Sequence, residues 1–549
     1  MLFLTTAHNC LSQRAYVELT DNGHEVKVHL YMGEEEMILT VEEYQPHLIL
    51  APFLKKIIPE EIWRHYTCLI VHPGIKGDRG PSSLDWAILK GEKEWGVTLL
   101  QANQEKDGGD IWSSHPFKMR PASKSSLYRR EVTDMAIKGL LEAMERFEKG
   151  AFIPEPLDYS KPDVKGTLHP PMKQMHRKID WSEPTEAIAR KIRSGDSQPG
   201  VSDTLYGEEY YLYGAHEEDA LKGDPGEIIA WRDGAICRAT GDGAIWITHL
   251  KRKDKDCFDI KLPAVRVLRD KLSGIPESAL SIEKAYAGRT FREIWYEEKN
   301  EIGYLHFDFY NGAISTNQCI KLKDAFIQTR KKKTRVIVLM GGSDFWSNGI
   351  HLNVIEAAEN PADESWHNIN AMNDLIREVI CTDSHLVISA MQGNAAAGGL
   401  MLALAADCVF AREGIVLNPH YKRMGLYGSE YWTYLLPKRV GMKKAIQLTE
   451  DCLPVSTRSA LKMGLIDGAF KESAFCSRIT SLAEGLAQDA SFDRMLSEKS
   501  QIRQKEEEKK PLEDYRREEL LMMHDNFYGP DSSYHVARKQ FVYKIACRS

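Results

Sequence analysis

The segment CLIVHPGIKGDRGPSSLDWAIL ends an apolar run at Val71 and opens with His72 into a loop rich in Gly and Pro. A residue just past the carboxyl end of a strand lies where open α/β sheets bind ligands. Gly74, Gly77 and Gly80 let the backbone of that loop approach a ligand closely. A second segment, GVTLLQANQEKDGGDIW, is another apolar strand, followed by a turn with Asp107, Gly108, Gly109 and Asp110. Both loops are expected to leave the same edge of one sheet, which brings a His and an Asp together. Far downstream, MGGSDFWSNGIHLNVIEAAE and VISAMQGNAAAGGLMLALAADCVFA each read as strand, small-residue turn, helix. Tight turns set backbone N–H groups at helix starts, where they favour developing negative charge. Two such turns facing each other make an oxyanion hole. The competing reading is that Gly398 and Gly399 only admit close helix packing.

The elements that must position these residues follow from hydrophobic periodicity. Strand-like runs at Leu2–Thr6, Val26–Leu30, Leu48–Ala51, Cys68–Val71 and Val97–Leu100 alternate with helical patterns such as Ser125–Lys149. That places an α/β domain at about 1–165. A Pro-rich linker, Ile153–Pro171, follows. Residues 166–280 start with a short helix, Glu186–Arg193, and continue as short strands with Gly turns, among them GAICRATGDGAIWITHL and FDIKLPAVRVL, a composition that predicts a small β-barrel. Residues 281–549 return to α/β, with strands at Ile302–Phe309, Val336–Met340 and Leu386–Met391, and end in charged helices whose run SEKSQIRQKEEEKKPLEDYRREE reads as a solvated face. A chain of 549 residues accommodates about three such domains.

Composition narrows the function classes. Hydrophobic residues make up 43% and charged residues 28%, ordinary for a soluble globular protein. The net charge is -7 and no basic stretch is interleaved with aromatics, which argues against nucleic-acid binding. No apolar run reaches the roughly 18 residues of a membrane helix. Met1–Cys10 reads as a first strand and not as a signal peptide. The 10 cysteines include no pair with the two-residue gap of a zinc or redox site, so no metal is expected and reduced thiols in the cytoplasm are.

PHLILAPFLKKIIPEEIWRHYTCLIVHPG…RG…WAI followed by GVTLL…DGGD resembles the formyl-tetrahydrofolate transferase family, and RKIDWSEPTEAIARKIRSGDSQPGV followed by DPGEII resembles the C-terminal barrel of methionyl-tRNA formyltransferase. The resemblance implies a Rossmann-like formyltransferase domain that binds formyl-tetrahydrofolate. It puts His72 and Asp107 at the family's catalytic His and Asp, and Gly74, Arg79, Gly80 and Gly108 at the folate. In that family an Asn and the His steady the oxyanion while the Asp orients the His and helps move protons. The Asn position holds Ile70 here, and the loop from His72 to Gly80 is one residue short, which points to a modified transfer or another acceptor.

The two downstream turns, with GLYGSEYWTYLLPKRVGMKKAIQL and SALKMGLIDGAF, resemble the crotonase (enoyl-CoA hydratase/isomerase) superfamily over about 295–475. That implies N–H donors at Asn348 and Gly398, beside Gly349 and Gly399, holding the thioester carbonyl of a coenzyme A substrate. The hydratase carboxylates do not carry over: one falls on Met401, the other on Tyr421 or His420. Glu430 stands where the family starts a helix facing the thioester, and with His420, Tyr421 and Tyr427 it supplies candidate acids and bases, Tyr431 and Tyr434 being read as packing. The whole order of domains resembles a family of NiFe-hydrogenase maturation factors that makes the CO ligand of that enzyme, which implies formyl transfer to CoA, decarbonylation of formyl-CoA, and hydrogenase maturation proteins as partners. Two rivals stand beside it: a formyltransferase acting on an amine with an appended acyl-CoA isomerase or decarboxylase, and a non-catalytic folate- and CoA-binding scaffold.

Overall fold

Five near-continuous apolar runs at the start of the chain fold, with one more, into a six-stranded sheet. The computed structural model describes residues 1–253 and 260–545. The strands are β1 (Leu2–Thr5), β2 (Lys27–Leu30), β3 (Ile49–Phe53), β4 (Cys68–His72), β5 (Glu94–Gln101) and β6 (Ile111–Lys118), in the order β2-β1-β3-β4-β5-β6. The first four are parallel, and strands buried on both faces read as unbroken Leu, Ile and Val runs. Leu11, Ala15, Ala136 and Leu140, from helices Cys10–Asp21 and Thr133–Lys149, pack on one face against Leu50, Leu69 and Leu99. Met37 and Val41 of helix Glu34–Tyr44 pack with Leu2, Leu4 and Ile49 in a second core. The expected helix Ser125–Lys149 is broken by a π turn at Tyr128–Val132.

Three features depart from the sequence reading. β5 runs antiparallel to β4, with Gln101 beside Leu69, so the loops after β4 and β5 leave opposite ends of the strands and not one edge. They meet because the loop after His72 turns back: the Gly80 N–H donates to Asp107 Oδ2 at 3.1 Å. The Pro-rich segment Ile153–Pro171 is a strap rather than a free spacer. It makes bridges at Glu155 to Ile111 and at Leu168 to Arg79. In the small antiparallel sheet, β7 (Val201–Leu205), β8 (Glu208–Glu218), β9 (Ile228–Arg232), β10 (Ala235–Ala239) and β11 (Ala244–Arg252) lie in the order β7-β8-β11-β10-β9, with β12 (Leu262–Pro263) on β11. The run expected as a strand after Lys261 is helical from Ala264 to Leu268, because Pro263 removes a ladder donor and starts a helix well. Phe258 and Asp259 at the head of that run, and Cys257 and Cys547, lie outside the described residues. These elements form one compact unit, Met1–Ser278 with Gly288–Phe291.

The second unit, Ala279–Ala287 with Arg292 onward, is built on β13 (Ile294–Lys299), β14 (Ile302–Phe307), β15 (Ala313–Ile314), β16 (Val336–Gly341), β17 (Phe345–Ser347), β18 (Gly349–Ile350), β19 (Leu386–Met391), β20 (Asn394–Ala396), β21 (Cys408–Arg412), β22 (Val416–Asn418), β23 (Val455–Ser456) and β24 (Gly468–Phe470). The main sheet runs β13-β14-β16-β19-β21-β24, parallel after the first hairpin. The expected strand–turn–helix segments contain additional short strands, β17 and β18 in one and β20 in the other. β17 and β20 pair in parallel, which draws the two small-residue turns together. Helix Phe492–Lys509 buries only Phe492, but helix Leu512–Tyr528 buries Leu512, Glu519, Met523 and Phe527, so part of the charged C-terminal run belongs to the core. No helix among the described residues is long and apolar enough to cross a membrane.

Two candidate catalytic sites

His72 ends β4 and is 4% exposed. Ile70, two residues earlier, shares its side of the sheet, where the transferase family carries an amide. The imidazole lies between two carboxylates. Nε2 is 2.9 Å from Asp78 Oδ2 and Nδ1 is 3.7 Å from Asp107 Oδ1. Asp107 takes a left-handed backbone (φ 53°) that turns its carboxylate back onto the Gly80 N–H. Arg79 ties the same hairpin down, donating from Nε to the Lys106 carbonyl (2.9 Å) and pairing with Glu105 (3.0 Å). Gly108 lies against that guanidinium: a Cβ there would be 3.1 Å from Arg79 Cζ. Gly74 carries no side chain because a Cβ would overlap Asp78 Oδ2 and come within 2.5 Å of His72 Nε2. The sequence reading missed Asp78. The signal was present, since a carboxylate six residues after a buried loop His can fold back onto it.

In the second unit Glu430 is 1% exposed. Its carboxyl sits over the Gly-rich turn, so that a Cβ on Gly398 would overlap Glu430 Oε1. Glu430 (φ 62°) and Tyr431 (φ 58°) are both left-handed, a conformation rare outside glycine. Asn373 Oδ1 accepts the Glu430 N–H (2.8 Å) and Glu519 Oε2 accepts the Tyr431 N–H (2.9 Å), which holds the pair in place from both sides. Burial pushes the Glu430 carboxyl up to about 8, opposed by a hydrogen bond from Tyr421 and reinforced by the Glu519 charge. The Tyr421 hydroxyl is shared between that carboxyl and the Ser429 carbonyl (3.3 Å). Burial, then the Glu430 charge, pushes the phenol well up, so Tyr421 stays a proton donor in the hydrogen-bond sense. Burial, followed by the Arg423 charge, lowers His420 to about 4. Tyr427 is exposed, its ring 5.6 Å from that of Trp432, while Tyr431 and Tyr434 are buried as packing residues.

The backbone donors divide. Gly398 is the first residue of helix Gly398–Leu404, and its backbone nitrogen faces Gly349 (φ 79°), where a Cβ would stand 3.4 Å away. The Asn348 N–H, by contrast, donates to the Gly312 carbonyl at 2.6 Å, so in this conformation it is not open to a thioester oxygen. Gly399 lets the turn pack on the Ser347 carbonyl and accepts the Trp346 indole N–H at 2.8 Å.

Glu519 caps helix Trp432–Val440 from a distant helix, accepting the Tyr431 N–H (2.9 Å), the Thr433 N–H (2.9 Å) and the Thr433 hydroxyl (2.5 Å). Removing it leaves buried donors unpaired, each costing about 1–3 kcal/mol. Part of that cost is offset, because burial pushes the Glu519 carboxyl up to about 7. Glu519→Ala is therefore expected to cost about 2 kcal/mol in chemical denaturation, while Glu519→Gln, which keeps an acceptor, costs less than half of that.

Comparison with known proteins matches this architecture segment by segment. The formyl transferase family matches residues 22–144, the formyl transferase C-terminal domain 171–264, and the enoyl-CoA hydratase/isomerase family 297–542. The hydrogenase maturation factor HoxX of Bradyrhizobium diazoefficiens is 46% identical over 548 residues, 99% of this chain and 95% of the relative. The crystal structure of HypX from Aquifex aeolicus in complex with tetrahydrofolic acid superposes with a TM-score of 0.96 at 47% identity, covering 100% of this chain and 96% of that one. The chain belongs to the HypX/HoxX family of hydrogenase maturation factors. Outside HypX/HoxX, the methionyl-tRNA formyltransferase of Bacillus licheniformis is 27% identical over 228 residues, 41% of this chain and 70% of the relative. HypX/HoxX proteins thus combine a formyltransferase part and a crotonase-like part in one chain, and His72 lies in the first as Glu430 lies in the second.

Proposed function

We propose that this protein transfers a formyl group from formyl-tetrahydrofolate to the thiol of coenzyme A, then splits formyl-CoA into CO and free CoA for the NiFe-hydrogenase active site. The observation that carries the reading is the Glu430 carboxyl, buried over the Gly398 turn at a place where the hydratase carboxylates are missing. Met401, at the first hydratase position, is fully buried and apolar. A formyl thioester has no α-carbon, so neither water addition nor enolate formation applies to it. It can lose its formyl hydrogen as a proton while the carbon–sulfur bond breaks. Glu430 as carboxylate takes that proton, the C–H electrons stay on carbon as its lone pair, an oxygen lone pair forms the third bond of CO as the C–S pair leaves with sulfur, and the Glu430 acid returns the proton to the thiolate. Tyr421 keeps the carboxyl oriented through its hydrogen bond. A carboxyl held at about 8 serves both steps near neutral pH. The Gly398 N–H holds the formyl oxygen.

In the first unit His72 and Asp107 support attack of the thiol on the formyl carbon. The retained His and Asp weigh against a non-catalytic scaffold, and the loss of both hydratase carboxylates weighs against an appended conventional isomerase. The test is to mix the purified full chain with formyl-tetrahydrofolate and CoA and follow CO with a haem reporter. CO that needs protein, folate and CoA together is the expected result. Formate or a formylated amine in place of CO would reject it.

A further inference from the structure

Asp78 makes the shortest polar contact of the His72 ring, yet nothing in the transferase motif assigns it a task. It is 1% exposed, and its Oδ2 lies 2.9 Å from His72 Nε2. The other oxygen, Oδ1, is buried without a hydrogen-bond partner. The contact is built into the loop. The Asp78 N–H closes a turn onto the Ile75 carbonyl at 3.0 Å. From outside, the 153–171 strap locks the turn: Gly166 donates to the Lys76 carbonyl (2.8 Å), and Arg79 exchanges bonds with Thr167 (3.2 Å) and His169 (2.9 Å). Gly166 lies so close that a Cβ there would overlap the Asp78 backbone nitrogen. Gly74 clears the room in which the His72–Asp78 pair meets.

A carboxylate accepts and does not donate, so the Asp78 contact places the imidazole proton on Nε2. Nδ1, the edge toward Asp107, is then the nitrogen with a free lone pair. We propose that Asp78 is a positioning residue for formyl transfer: it fixes the Nε2–H form of His72 and so presents Nδ1 as the proton acceptor for the incoming thiol. The inference rests on the formyl-transfer reading of this site. The step balances. The thiol proton passes to Nδ1 as sulfur bonds to the formyl carbon and the carbonyl pair moves onto oxygen. When that pair returns, the bond from carbon to the folate nitrogen breaks, and the nitrogen takes the proton from Nδ1. A His committed to proton transfer is a less effective oxyanion donor, which fits a site where Ile70 replaces the family amide and the acceptor is acidic enough to need only a base.

Asp78→Asn in the full chain tests this, with tetrahydrofolate binding, formyl-tetrahydrofolate consumption and the His72 tautomer by ¹⁵N NMR as readouts, His72→Gln supplying the assignment. The expectation is tetrahydrofolate affinity within about 3-fold of wild type, turnover down by about 10²-fold or more with KM little changed, and loss of the uniform Nε2–H signature. Asp78→Glu, which keeps the charge, is expected to recover part of the turnover. Turnover of Asp78→Asn within about 3-fold of wild type, or a wild-type His72 protonated on Nδ1 alone, overturns the proposal. If wild type binds tetrahydrofolate but consumes no formyl donor, the formyl-transfer reading fails, and the tautomer signal still decides whether Asp78 sets the His72 proton.

Discussion

Glu430→Gln is expected to release no measurable CO while still consuming formyl-tetrahydrofolate, so that a formyl thioester accumulates in its place. The amide can neither take the formyl proton nor return it to sulfur, and removing a sole acid–base group costs about 10²–10⁴-fold. The wild-type pH profile carries the same signature. Glu430 must be ionised to start the reaction, and burial sets its carboxyl at about 8. CO release should therefore rise with pH through that value, with about a tenth of the enzyme ionised at pH 7. Stability moves in the opposite sense. The folded state holds a proton on Glu430 between its ordinary range and about 8, where the unfolded chain has lost it, so unfolding free energy falls as pH rises across that window. Glu430→Gln removes this dependence and is expected to raise Tm by several degrees at pH 8 but little at pH 5. A variant without CO release and with no pH-dependent gain in Tm would show a collapsed pocket instead of a missing proton carrier.

Much of the architecture is legible in the chain because its signals are local. Unbroken apolar runs such as Leu386–Met391 mark buried parallel strands, and the observed strand has those same bounds. The strand–turn–helix segments around Gly349 and Gly398 are equally local, whereas the pairing of β17 with β20 that brings them together is not. Direction is also non-local: nothing in GVTLL says that β5 runs against β4, and the expected meeting of the His72 and Asp107 loops comes about by a different route. Glu430 stood out from its place ahead of a helix, but what aims it did not. Asn373 lies 57 residues before it, and Glu519 lies 88 residues beyond the Tyr431 N–H it accepts, inside a run that reads as solvated charge. A carboxylate that caps a buried helix start has the same sequence appearance as one in water. The Asn348 N–H illustrates the reverse case, because a motif can name a donor without revealing that the Gly312 carbonyl already holds it.

His72→Ala separates the two halves of the proposed reaction. It is expected to lower formyl-tetrahydrofolate consumption by about 10³-fold, with tetrahydrofolate binding retained, because the loop is held by Gly80, Arg79 and the 153–171 strap and not by the imidazole. Asp107→Asn should fall less far, since Gly80 can still hold the amide and the lost charge lies 3.7 Å from Nδ1. Supplied with ready-made formyl-CoA, His72→Ala should release CO at the wild-type rate, while Glu430→Gln should release none. Mixing the two variants then decides how the intermediate moves. If formyl-CoA leaves one molecule and enters another, the mixture regains CO release from formyl-tetrahydrofolate and CoA in proportion to protein concentration. If the thioester is passed on within one chain, the mixture stays as inactive as either variant alone. Either result separates transfer from decarbonylation, and only equal loss of both steps in His72→Ala contradicts a division of the chemistry between His72 and Glu430.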